Sequence, residues 1–176
     1  MTEYGDRLDG AADEAGRRGA ELLAEAAGVT DVTPAQLQQG LLRGLREVRI
    51  PLQETVDAID PPEAIAELHD LMWNWHAGFI SIEQALADRV GETPDTAAGW
   101  TALSDSSEMA AYRAAVAEGK RICNRFQSWL DATEIAEAFE GTPWTPGGMR
   151  EVVEAALGCE FFPDDPAAIY LYPPSG

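Results

Sequence analysis

His69, Trp73, His76, Ile80 and Glu83 recur at steps of three and four, so a helix through them carries two imidazoles, an indole and a carboxylate on one stripe. Such a stripe can line a small-ligand pocket, with His69, Trp73, His76 and Glu83 as the contacts. It can equally serve acid–base chemistry, with His76 or His69 taking a proton and Glu83 orienting the ring. Packed beneath a neighbouring helix, each imidazole hydrogen-bonded, the same residues are core. One metal ion cannot be held by this helix alone, because His69 and His76 stand roughly 10 Å apart along the axis. No His-Glu-x-x-His or Glu-x-x-His occurs, so zinc-protease and di-iron signatures are absent and no metal or cofactor is implied.

Three further groups can carry chemistry. Lys120, Arg121 and Arg125, with Arg113 upstream, form a basic cluster that can hold a carboxylate or phosphate, or pair with acids of a neighbouring helix. Gly147-Gly148 after Pro146 opens a short helix whose amides can meet an anion. Cys123 and Cys159 are either two buried thiols or a bridge, which would close a loop of roughly 37 residues and stabilise by about 3–4 kcal/mol. Two cysteines alone do not make a zinc site. No Gly-x-Ser-x-Gly and no glycine-rich phosphate loop with a lysine is present.

The elements that position these groups read as helices throughout. Residues 2–27 form a weak, glycine-interrupted helix that stops at Gly28. Thr33-Pro34-Ala35-Gln36 is a capping box, and Leu37, Leu41, Leu45, Val48, Leu52, Val56 and Ile59 carry the stripe of helix 34–59, kinked at Pro51. Asp60-Pro61-Pro62-Glu63 reads as the N-terminus of a central helix, 61–90. Its seam is Ile65, Leu68, Met72, Trp75, Phe79, Ile82 and Leu86, and its wet face Glu67, Asp70, Asn74, Ser81, Gln84 and Asp88. Residues 92–104 form the longest loop, pinned by Trp100 and Leu103. Asp105 and Glu108 open helix 105–139, whose seam runs through Met109, Tyr112, Val116, Gly119, Cys123, Phe126 and Leu130. Thr145-Pro146 caps a short helix, 146–157, and an extended aromatic tail follows. The expectation is one all-α domain, a bundle of four long helices with that short helix and tail.

Hydrophobic residues make up 45% of the 176, which fits a folded chain. With 31 acids against 12 bases the net charge is −19, so nucleic-acid binding through a basic face is excluded. No apolar run approaches the ~18 residues of a membrane span. The start, Met1-Thr2-Glu3-Tyr4-Gly5-Asp6, lacks the basic and apolar segments of a secretory leader. Cytoplasmic residence is expected on that basis, or an extracytoplasmic one if a leader has been removed.

The segment from Asp57 to His69, with its Pro-Pro-Glu and Leu-His, followed by helix, loop and a second long helix bearing a cysteine, resembles a group of uncharacterised actinobacterial helical proteins, many of them lipoproteins or secreted. The resemblance spans about residues 52–135. It implies a helical bundle and an extracytoplasmic setting, where a Cys123–Cys159 bridge would persist, and it brings no catalytic residues. The sequence points to a non-enzymatic module that binds a protein partner or small molecule. Two alternatives are an enzyme on the His69–His76 stripe and an acidic inhibitor or nucleic-acid mimic that docks on a basic protein.

Overall fold

Thr33 starts its helix as the spacing predicts. Its Oγ1 accepts the Gln36 amide at 3.2 Å, and Gln36 Oε1 accepts the Thr33 amide at 2.9 Å, with Pro34 at the first helical position. A computed structural model describes residues 2–130, which are helical with no strand among them. The helices are α1 (Thr2–Ala27), α2 (Pro34–Asp57), α3 (Ala66–Gly91), α4 (Ala97–Ser104) and α5 (Ser107–Leu130). The expected continuation to 139, the helix 146–157, Gly147-Gly148, Cys159 and the aromatic tail lie outside the described residues.

Three boundaries differ from expectation. Asp60 does not cap α3. A residue before proline is pushed out of the α region, and the Pro61-Pro62 pair applies that restriction twice. Asp60 and Pro61 are thereby kept out of the helix; Pro62 is extended as well (φ −58, ψ 144), a 3₁₀ turn of Glu63–Ile65 follows, and α3 starts at Ala66. The expected loop 92–104 contains α4, started by Thr96, whose Oγ1 accepts the Gly99 amide at 3.1 Å. A Cβ on Gly99 would fall 2.1 Å from the Pro94 carbonyl oxygen, so this tight start needs glycine. Asp105 ends α4 instead of opening α5; Ser106 takes that role, its Oγ accepting the Met109 amide at 3.2 Å. Pro51 sits inside α2, and the helix continues through it.

Neighbouring helices run antiparallel. Arg7 reaches the Ala58 carbonyl from α1; Gln53, Arg49 and Arg43 of α2 meet His76, Glu83 and Asp88 of α3 in reverse order. Arg125 and Gly119 of α5 meet Glu67 and Trp75 in the same reversed sense. Helix α3 is thus enclosed between α2 and α5, with the start of α1 over its own first turns. One apolar cluster gathers Tyr4, Leu8, Val56, Leu68 and Met72; a second gathers Leu42, Phe79, Leu86, Leu103 and Met109. Trp75 packs against both.

The seam of α3 is buried as its period requires, from Ile65 to Leu86, with Trp75 and Ile82 half-buried. Helix α2 differs. Of its expected stripe, Leu52, Val56 and Ile59 are buried, but Leu37, Leu41, Leu45 and Val48 are only half-buried and turn toward α1, while Gln38, Leu42 and Gln53, outside the stripe, face inward. A helix with a neighbour on each side has two packed faces, and apolar period reveals only the greasier one.

Glycine decides how closely α5 approaches. A Cβ on Gly119 would fall 2.3 Å from the Trp75 ring, which is itself stacked on Phe79 and tied by Nε1 to the Ala115 carbonyl at 2.9 Å. Gly119→Ala is therefore expected to destabilise by about 1–3 kcal/mol despite better helix propensity. Gly16 and Gly19 of α1 face open space, so Gly16→Ala and Gly19→Ala should each stabilise by roughly 1 kcal/mol. Urea denaturation of the variants measures both signs.

Candidate functional site

The stripe His69, Trp73, His76 and Glu83 folds inward. His76 and Glu83 are fully buried, Trp73 and His69 nearly so. Helix α3 presents them because a second row at three- and four-residue steps runs beside its apolar seam. Two elements cover that row. The Tyr4 hydroxyl of α1 is hydrogen-bonded to His69 Nδ1 at 3.0 Å, its ring edge-on to the imidazole. From α2, Gln53 meets His76 Nδ1 at 2.7 Å, and Arg49 lies over the Phe79 ring at 5.1 Å.

Hydrogen-bond logic assigns the His76 tautomer. Gln53 Nε2 donates to Asp57 Oδ1 at 2.7 Å, which leaves Gln53 Oε1 as the group facing His76. That oxygen only accepts, so His76 Nδ1 carries the hydrogen and Nε2 the lone pair. Burial away from water, helped by the nearby Arg49 charge, lowers the His76 pKa to about 3, so the ring is neutral. Burial also lowers His69, with the Asp70 and Asp57 charges opposing.

Glu83 is the one buried carboxylate of the strip. Arg49 Nε stands 3.0 Å from Glu83 Oε2, an ion-pair contact between a side chain 25% exposed and one with no exposure. The N–H is not aligned on the oxygen, and neither Glu83 oxygen has a hydrogen-bond donor among the described residues. Burial raises the Glu83 pKa above the ordinary carboxylate range, and Arg49 opposes the rise.

Among the described residues neither histidine pairs with a carboxylate. The strip is bounded by α1 and α2, the arrangement of core residues with both imidazoles hydrogen-bonded. Two clefts lie elsewhere, both between α1 and α2. One, about 360 Å³, has Ala11, Ala15, Val48, Pro51 and Leu52 as its apolar wall and Asp6, Arg7, Glu14 and Arg18 at its polar edge. The other, about 230 Å³, sits at the α1–α2 turn and is lined by Leu22, Glu25, Ala26, Val29, Val32, Gln36, Leu37, Gly40 and Leu41. None of His69, Trp73, His76 and Glu83 lines either cleft.

The basic cluster is spread among separate partners. Arg113 donates to the Ser104 carbonyl at 3.1 Å, Arg121 pairs with Glu118 on its own helix, and Arg125 reaches Glu67 at 3.2 Å. Lys120 is half-buried and engaged. Cys123 is buried in the first apolar cluster, and its pairing with Cys159 lies outside the described residues. Among those residues no group of three or more His, Cys, Asp or Glu is placed to hold a metal ion, and no helix is long and apolar enough to cross a membrane.

Sequence reading missed two sets of residues. Arg49 and Gln53, the partners of the strip, belong to the row Leu42, Arg46, Arg49, Gln53, Val56 at steps of four and three, a mixed pattern that apolar counting passes over. The second set is Leu23, Val29 and Val32, the exposed large apolar side chains among the described residues, gathered around the α1–α2 turn. Their signal is Val29 and Val32 inside the Gly28-to-Thr33 turn, where polar residues are the norm.

The chain matches no family model, no curated protein and no solved structure.

Proposed function

We propose that this protein is a non-enzymatic helical module that docks a partner protein at the α1–α2 turn. The observation that carries the reading is that Val29 (47% exposed) and Val32 (43%) line the 230 Å³ groove while remaining open to solvent, with Leu23 (59%) exposed near the end of helix α1. Exposed large apolar side chains scattered singly need no explanation, but a group around a groove is the surface a partner covers. The groove is open at its rim and apolar at its floor, the form that accepts anchors of an amphipathic helix.

Charge selects the occupant. Glu21, Glu25 and Asp31 surround the turn, no Lys or Arg falls between residues 19 and 42, and the whole chain carries −19. A partner helix with a Leu or Phe stripe and Lys or Arg flanks fits both features, the flanks speeding encounter and the stripe supplying affinity. In this reading the full chain is a bundle of four long helices, completed by residues 146–157 and the aromatic tail.

The test is titration of methyl-labelled protein with designed amphipathic peptides, one Lys/Arg-flanked and one Glu-flanked on the same apolar stripe. The basic peptide should shift the methyl signals of Leu22, Val29, Val32, Leu37 and Leu41, bind at least tenfold more tightly than the acidic one, and weaken with salt. Val29→Asp with Val32→Asp should abolish the shifts while leaving the fold intact. Equal response to both peptides, shifts elsewhere on the molecule, or self-association through the patch would overturn the reading.

A further inference from the structure

Among the described residues, buried side-chain atoms without a hydrogen-bond partner all belong to α2 and α3. They are of both kinds. Arg46 Nε, Arg49 Nε and Trp73 Nε1 are donors; Gln38 Oε1, His76 Nε2 and both Glu83 oxygens are acceptors. Buried donors and acceptors that complete no hydrogen bond with one another are what a small amphoteric molecule satisfies.

The side chains cannot turn to satisfy one another. His76 is held by Gln53 at 2.7 Å and wedged between Trp73 and Trp75, with ring centroids 5.3 and 6.4 Å away. The His76 lone pair at Nε2 is fixed by the Asp57–Gln53 bond behind it. Arg49 is seated on Phe79 while it contacts Glu83. Both clefts open between α1 and α2 and are not lined by these residues, which favours the smallest polar ligand.

We propose that ordered water is bound inside the α2–α3 interface, at one site between Trp73 Nε1–H and the His76 Nε2 lone pair and at another beside the Arg49–Glu83 contact, against the Glu83 carboxylate. Buried water makes about three hydrogen bonds to otherwise unpaired groups, and each site offers both a donor and an acceptor. Globular chains hold roughly one such water per 27 residues, so two within these helices is an ordinary number. The bound water then fixes which residues of α2 face which of α3, since a shifted pairing strands the same atoms.

The experiment is water-selective NMR on the ¹⁵N-labelled full chain, read at the tryptophan indole N–H signals and assigned with Trp73→Phe and Trp75→Phe. Trp73 Nε1–H is expected to show water cross-peaks of opposite sign in NOE and ROE spectra, the signature of bound water rather than proton exchange. Trp75 Nε1–H, bonded to the Ala115 carbonyl, is the dry reference in the same spectrum. A Trp73 signal as silent as that of Trp75 would overturn the first site. For the second, a high-resolution crystal structure should place water oxygen within about 3.2 Å of a Glu83 oxygen. A Glu83 carboxylate contacted only by protein atoms contradicts it.

Discussion

Arg49→Met is expected to destabilise the protein by up to about 3 kcal/mol at pH 7, with the loss shrinking as the pH falls. Glu83 has no exposure, while Arg49 is a quarter exposed, so removing the arginine strands a carboxylate cut off from bulk solvent. The stranded group escapes by taking up a proton. From an ordinary value of 4.5, neutralising it at pH 7 costs about 3.4 kcal/mol, which caps the penalty. The sign follows from linkage. A carboxyl whose folded pKa is raised contributes stability below its unfolded pKa and loses it as pH climbs through the folded one. Because the wild-type Glu83 pKa is itself raised, both proteins lose stability alike just above pH 4.5. The Arg49→Met deficit should open above the wild-type folded value and then grow by up to about 1.4 kcal/mol per unit. The double variant Arg49→Met/Glu83→Met should recover most of the loss, because an apolar pair of similar volume removes both charges. Glu83→Met alone should cost less than Arg49→Met, since the arginine can swing outward. Urea midpoints at matched slopes across pH 4.5–7.5 measure all three.

The second large effect runs the other way with pH. His76 is neutral in the fold with its pKa lowered to about 3, against 6.5 when unfolded. Between those values the unfolded chain binds the proton and the folded chain does not. Stability is thus fully present above 6.5 and lost as pH falls toward 3, by up to about 5 kcal/mol in total. The groups around the ring are Arg49 and Gln53 from α2 and the two neighbouring indoles of its own helix; Arg49 adds repulsion to the charged form, and no carboxylate contacts the ring. His76→Asn keeps a donor toward Gln53 and removes the titration. From pH 6.5 to 4.5 the wild type should lose about 2–3 kcal/mol more than this variant. The residual slope belongs to His69, lowered chiefly by burial, while Glu83 opposes it over the acid end. Parallel profiles for the two proteins would show that His76 is not enclosed.

These two effects mark what was legible in the sequence and what was not. The seam Ile65 to Leu86 and the wet face from Glu67 to Asp88 followed from period alone, because a regular helix converts spacing into facing without reference to its neighbours. So did Thr33, whose cap is local. Asp60 misled because adjacent prolines restrict one another before any cap forms. Helix α4 escaped because its eight residues carry Gly99 and Thr101, poor helix formers, and it stands on a cap at Thr96 and the burial of Trp100 and Leu103. The histidine stripe was visible, yet whether it was pocket or core depended on which side chains of α1 and α2 arrived over it. Tyr4, Arg49 and Gln53 are remote in sequence, and two of them are polar, so no apolar pattern announces them.

Basic residues were legible as a group and not as a site. Arg121 found Glu118 within its own helix and Arg125 found Glu67 across an interface, while Arg113 satisfied carbonyl and hydroxyl groups at the end of α4. In a chain with far more acids than bases, each guanidinium has carboxylates within reach. The exposed trio Leu23, Val29 and Val32 is the reverse case: its spacing follows no helical or strand period, and only its exposure in the fold sets it apart.

Enclosure of α3 by α1, α2 and α5 underlies the strip, the ion pair and the pH profile alike, and native-state hydrogen exchange tests it most directly. The amides from Met72 to Leu86 should exchange only through global unfolding, with the free energy and denaturant slope of the whole domain. Amides in the second half of α1, from Gly16 onward, should open first. Exchange of the Met72–Leu86 amides through local opening, while α1 stays protected, would contradict the enclosed central helix.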